Sequence, residues 1–252
     1  PWITGASGGL EYDEVLGVDP IASYYANWQV NNGTFRTLGV ISSVNATIVD
    51  KTSGESAGQS RASAGHMSSS STLAGTYSAP VERTNFKAVI VGPSRGWKNY
   101  RHQADALTVY SLLRQNGVDD NNIILMTYDD VPTVPENPLK GDIHNVPKGQ
   151  NIRSGAQVDY SGANVTAAMF KNIMTGNKSS STPVVLESNA TTDVFVYIAS
   201  HGAPGEIVFG TGNSALSTEE FTALTDSMDQ NHQYRQMAFF VDTCFGESVA
   251  TD

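Results

Sequence analysis

Four short, dominantly apolar runs, spaced through residues 85–252 with helical or polar stretches between them, constrain this chain more than any other feature. They are Phe86–Val91, Ile123–Tyr128, Val194–Ala199 and Met237–Val241. A strand that is apolar along its whole length has both faces covered. Strands separated by helices return in the same direction, so the pattern predicts a mostly parallel sheet between two helical layers. The intervening helices have their own signals. Ala106, Val109, Tyr110, Leu112 and Leu113 recur at helical spacing within His102–Gln115, and Gly117 stops them. Asn164 can cap a helix over Val165–Met174, and Ser217 or Thr218 opens another with Glu219 and Glu220 in its first turn. Residues 129–160 hold Pro132, Pro135, Pro138 and Pro147 and read as a long loop, of the kind that is usually functional.

Upstream the pattern differs. Residues 1–50 are rich in aromatic and β-branched residues, and Asn31-Asn32-Gly33 between two such stretches reads as a hairpin turn. This is expected to be a small β-rich accessory region or prosegment. Residues 51–84 are dominated by Ser, Gly, Ala and Thr, the composition of a linker. The α/β domain is then expected over 85–252.

A net charge of −10 argues against nucleic acid or anionic lipid as the main partner, since both require clustered Lys and Arg. With one cysteine the chain has no internal disulfide. No apolar run reaches the ~20 residues of a membrane span. Asn-X-Ser/Thr sites occur at Asn32, Asn45, Asn164, Asn177 and Asn189. They permit secretion, and the low Lys content leans towards an extracellular, endomembrane or periplasmic protein.

In open parallel sheets, sites gather beyond the carboxyl ends of the strands. Beyond the first run stands Gly96-Trp97-Lys98-Asn99-Tyr100-Arg101-His102-Gln103-Ala104-Asp105. Beyond the third stands Ser200-His201-Gly202, and beyond the fourth Asp242-Thr243-Cys244. A thiolate is the attacking form of cysteine, and imidazole can shuttle its proton near neutral pH. Gly202 leaves the backbone bare beside His201, so its N–H and that of Cys244 suit an oxyanion. A lone Cys beside a strand is more often a small buried hydrophobe, and a lone His-Gly is unspecific. On spacing alone the two readings stay open.

The segment from Gly96 to Asp105 closely resembles a motif of the legumain family of cysteine peptidases, which have a caspase-like fold. Tyr128-Asp129-Asp130, Glu136-Asn137-Pro138, Val146-Pro147-Lys148, Asp159-Tyr160-Ser161-Gly162 and Val165-Thr166 are similar to family landmarks in the same order. The resemblance covers about 85–252 and implies a caspase-like α/β/α sandwich. It implies an endopeptidase acting on peptide or protein substrates after Asn, and after Asp in acid, without cofactor or metal. It assigns Cys244 as nucleophile, His201 as proton shuttle and Asn99 as the group orienting that histidine. It places Arg101, His102 and Asp242 in the pocket for the residue before the scissile bond.

Two departures qualify it. The family usually carries Glu two residues before the cysteine; Asp242-Thr243-Cys244 looks more like the catalytic subunit of the GPI transamidase. The family's sheet also continues past this point, so the fold is expected to be incomplete at its C-terminus. Processing after Asp252, with a second chain from the same precursor completing the fold, is the corresponding expectation. Three functions therefore compete: an Asn/Asp endopeptidase, a transamidase or ligase using the same acyl-enzyme, and a non-catalytic caspase-like binding or structural protein.

Overall fold

The computed structural model describes residues 85–250, apart from 147, 211 and 213, together with three backbone segments upstream. Those segments are the strands β1 (Tyr24–Asn31), β2 (Thr34–Ser42) and β3 (Thr47–Val49). Then follow β4 (Phe86–Gly92), α1 (Tyr100–Gln115), β5 (Ile123–Thr127), α2 (Ala167–Met174) and β6 (Asp193–Ala199). The remaining elements are β7 (Gly202–Ala203), β8 (Glu206–Phe209), β9 (Ser214–Ser217), α3 (Thr218–Gln230) and β10 (Gln236–Asp242). The expected linker at 51–84 and Asp252 lie outside the described residues.

The main sheet has the order β3-β2-β1-β10-β6-β4-β5. The four strands read from the sequence pair in parallel, β10 with β6, β6 with β4, and β4 with β5. Residues 24–49 extend the same sheet from its β10 side as antiparallel strands. Ala26 stands opposite Val241 and Val30 opposite Met237, so β1 begins beside the end of β10. The strands flanking the expected Asn31-Asn32-Gly33 turn are paired, with Asn31 opposite Thr34.

Alternation along β4 feeds two cores. Val89 and Val91 join the cluster of Phe170, Phe221, Leu224 and Phe239, where α2 and α3 cover one face. Ala88 and Ile90 join Ala104, Leu107 and Tyr110 of α1 on the other. The parallel strands with helices on both faces are the expected α/β sandwich, consistent with a caspase-like fold.

Local chemistry sets the ends of the helices. Ser217 and Glu220 close a reciprocal capping box at the start of α3. Helix α2 begins later than expected, because Asn164 falls in a short 3₁₀ turn and Thr166 is the cap, its side chain accepting from Met169 N at 3.1 Å. The small sheet β7-β8-β9 lies in 202–217, where periodicity predicts no strand.

The long loop after β5 is built from side-chain bonds to backbone. Asn137 Nδ2 donates to the carbonyls of Val131 and Asp142, and Arg153 binds both carboxylate oxygens of Asp129 at 2.6 and 2.8 Å. Val131 and Ile143 are buried with α1. The loop's end pairs with β5 through Thr127 N to Tyr160 O and Asp159 N to Leu125 O.

Candidate active site

Strands β6 and β10 run in register, with Ala199 opposite Asp242. His201 and Cys244 each stand two residues beyond that rung. Ser200 N donates to Asp242 O at 3.0 Å, which carries the pairing one step past the strands. The two backbones then close on each other. A Cβ at position 202 would sit 2.1 Å from Cys244 O and 3.1 Å from both Cβ and Oγ1 of Thr243. Only glycine allows that approach, and it holds the histidine and cysteine segments side by side. Cys244 is half-buried.

The third segment arrives from β4. Gly96 has φ 87° and ψ 165°, a region open to glycine and little else, and this turns the chain into α1. Asp130 receives the turn: Gly96 N donates to both its oxygens at 3.1 and 3.0 Å. Buried Gln103 donates to Asp130 Oδ1 and to Ser94 O, and its own oxygen accepts from Val131 N.

Asn99 is the N-cap residue of α1, yet its side chain makes no capping bond. Its Nδ2 donates to Arg95 O at 2.7 Å, and its Oδ1 lies 2.7 Å from His201 Nε2. The Arg95 carbonyl can only accept, which fixes the orientation of the amide. Oδ1 can only accept too, so His201 carries its proton on Nε2 and leaves the Nδ1 lone pair free to take one.

His102 packs edge-on against His201, with ring centroids 4.7 Å apart and planes at 83°. It is 1% exposed, and its Nδ1 is 2.7 Å from Ser94 Oγ. The resemblance implies a place for His102 in the pocket for the residue before the scissile bond. Here it is buried behind His201, because α1 turns it inward with Gln103 and Ala106. Burial and the neighbouring Arg101 and His201 hold its pKa well below the usual 6.5; burial and Arg101 lower that of His201 as well.

Arg101 lies close enough to depress both histidines, and its Nη1 donates to Lys98 O at 3.2 Å. Asp242 is 4% exposed, with Oδ2 3.5 Å from Tyr197 Oη. Asn99, His201, Gly202 and Cys244 are thus gathered at one sheet edge, with Arg101 beside them and Asp242 and His102 beneath. Among the described residues no group of His, Cys, Asp and Glu has the arrangement to hold a metal ion.

Residues 87–252 match the family model for the peptidase C13 family. The chain belongs to this family. It is 37% identical over 165 residues to the vacuolar-processing enzyme delta-isozyme of Arabidopsis thaliana, covering 64% of this chain and 35% of that protein. It is 38% identical over 165 residues to legumain of Rattus norvegicus, covering 64% and 38%, and 36% identical to legumain of Homo sapiens over the same shares. The chain spans little more than a third of the length of these relatives.

Within this C13 domain, three supporting residues escaped the sequence reading. Ser94 joins His102, Asp130 receives the Gly96 turn, and Ser248 lies between the cysteine and histidine loops. Asp130 belongs to the Tyr128-Asp129-Asp130 landmark, and that is its only signal in the sequence. Ser94 and Ser248 are serines in a serine-rich chain and carried none.

Proposed function

We propose that this C13 domain is a cysteine endopeptidase cleaving after Asn, and after Asp in acid, through a thioester on Cys244. The observation that carries the reading is the His201–Asn99 bond, with Nε2 occupied and Nδ1 free, on a backbone pressed against Cys244. In the first step the Cys244 thiol proton passes to His201 Nδ1, and the thiolate attacks the carbonyl carbon of the scissile bond. The N–H groups of Gly202 and Cys244 receive the oxyanion. The imidazolium then gives its proton to the leaving amine, the C–N bond breaks, and a thioester remains. Water, deprotonated by His201, attacks the thioester; a carboxylate leaves and the thiol is restored.

Arg101 is the donor and Asp242, from the buried floor beneath the site, the acceptor for the two ends of an Asn carboxamide. His102 serves that pocket from behind, as the wall that keeps His201 in place. Asp242 also favours a second reading. The family usually has Glu there, and the Asp-Thr-Cys sequence of the GPI transamidase argues for an acyl-enzyme that an amine can intercept in place of water. Protein substrates and an endomembrane or secreted setting agree with relatives named vacuolar-processing enzyme. The sequons at Asn164, Asn177 and Asn189 are exposed, as glycan acceptors must be. No helix among the described residues is long and apolar enough to cross a membrane.

The deciding experiment is labelling by a thiol-reactive peptide ending in Asn or Asp, on wild type and Cys244→Ala, across pH 4–8. Labelling that requires Cys244 and prefers those ends supports the peptidase. An added amine appearing in the product identifies the transamidase. No labelling of Cys244 anywhere in that range leaves only a non-catalytic protein.

A further inference from the structure

Beyond Cys244 the chain does something costly. Phe245 takes a left-handed conformation, φ 54° and ψ 21°, which non-glycine residues seldom adopt, and it remains 60% exposed. No gain in burial offsets that strain. The bonds around its carbonyl do. Ser248 N donates to Phe245 O at 2.8 Å, and Ser248 Oγ donates to the same oxygen at 2.6 Å. The same hydroxyl oxygen accepts from Gly205 N at 2.8 Å. Gly205 is the turn of the β7–β8 hairpin, which begins immediately after His201. Thr218 fastens the joint from the start of α3: its N donates to Gly205 O at 2.9 Å, and its Oγ1 lies 3.2 Å from the carbonyl oxygens of both Gly205 and Ser248.

We propose that Ser248 is a positioning residue for the reaction, its hydroxyl coupling the turn that carries Cys244 to the hairpin that follows His201. The joint needs a single atom that donates to one loop and accepts from the other, and a hydroxyl is the small neutral side chain able to do both. Without it, Phe245 has less to hold it in the left-handed turn and Gly205 N–H loses its acceptor. The two loops are then joined by the main-chain contacts of Thr218 and Gly202 but no longer through the hydroxyl, and the spacing of thiol and imidazole loosens with them. Misplacement of about 1 Å between reacting groups is worth on the order of 10²-fold in rate. The inference rests on the Cys244–His201 pair of the proposed function, but not on the identity of the substrate.

The test reads the pair without a substrate. At pH 6 an ordinary thiol, with pKa ~8.5, is less than about 1% thiolate, so rapid alkylation by iodoacetamide reports activation by His201. The rate is measured on the full chain for wild type, Ser248→Ala, Ser248→Thr, His201→Ala and the Ser248→Ala/His201→Ala double variant, with melting temperatures alongside. Ser248→Ala is expected to slow alkylation about tenfold with little change in melting, and Ser248→Thr to restore it within about twofold. In the His201→Ala background the Ser248 change is expected to have no further effect, because the coupling it supplies is already lost. An equal drop in both backgrounds, or a Ser248→Ala rate within about twofold of wild type, overturns the proposal. Wild-type alkylation no faster than that of free cysteine removes the pair and the proposal together. His201- and Ser248-dependent alkylation without cleavage of any Asn or Asp peptide upholds the positioning role and sinks the endopeptidase reading alone.

Discussion

The carboxamide of Asn99 holds His201 at Nε2 across 2.7 Å and does not cap the helix it begins. Asn is among the best N-cap residues, and a cap is worth ~0.5–2 kcal/mol. Here both ends of the amide are committed elsewhere, to Arg95 O and to the imidazole. Asn99→Ala is therefore expected to cost less than about 1 kcal/mol in denaturant unfolding, as for an exposed hydrogen bond. Turnover of an Asn peptide should fall about 10²-fold, the low end of what a positioned general base contributes. KM should stay near its wild-type value, because the tautomer changes and the substrate contacts do not. Unchanged kcat with a stability loss typical of a lost cap would show that Asn99 serves only the helix.

The paired histidines make the fold acid-sensitive in a defined window. The folded-state pKa of His102 lies well below 6.5, and that of His201 is lowered too. Between those values and about 6.5 the unfolded chain binds protons that the folded chain does not, so stability falls as pH falls through 6.5. Each such group contributes at most about 1.4 kcal/mol per pH unit. His102→Gln removes the larger contribution while keeping a side chain able to hydrogen-bond with Ser94. Its unfolding free energy should change less steeply between pH 6.5 and 5 than that of wild type. Parallel curves over that range would mean that His102 titrates normally in the folded protein.

Much of this architecture was legible because its signals are local. Apolar runs such as Val194–Ala199 mark doubly covered strands wherever they lie, and both Cys244 and His201 could be located from the ends of such runs. What could not be read depends on contacts distant in sequence. Ser94 meets His102 only because α1 folds back over β4, and Ser248 meets Gly205 across 43 residues. His102 shows the limit of a motif. Its place in the chain follows the family, yet whether the ring faces outward or lies behind His201 is set by how α1 rotates against the sheet. The small sheet at 202–217 was missed because β7, β8 and β9 have two, four and four residues, too few for a period to register.

Gly202 carries the closest backbone approach at the site. In Gly202→Ala the new methyl group would meet Cys244 O at 2.1 Å, and that neighbour is main chain, with no rotamer to swing away. The cysteine segment must then move as a unit. The expected result is a loss of at least about 2 kcal/mol of stability, within the range for forced overpacking, together with loss of Cys244 alkylation at pH 6. An alanine variant with wild-type melting and wild-type alkylation would mean that the two segments are not in contact.

Phe245 offers the opposite expectation, a substitution that stabilises. Its left-handed backbone costs on the order of 1–3 kcal/mol for a non-glycine residue, and its ring returns little at 60% exposure. Asn tolerates this conformation several-fold better than bulky residues and retains a side chain, so it avoids glycine's added entropy cost in the unfolded state. Phe245→Asn is expected to raise the unfolding free energy by about 0.5–1 kcal/mol, read from the denaturant midpoint at constant slope. The Ser248 bonds to the residue-245 carbonyl involve main chain on the acceptor side and survive the change. Alkylation of Cys244 should accordingly stay within about twofold of wild type. A destabilised variant would show that the phenyl ring contributes more to the folded state than its left-handed backbone costs.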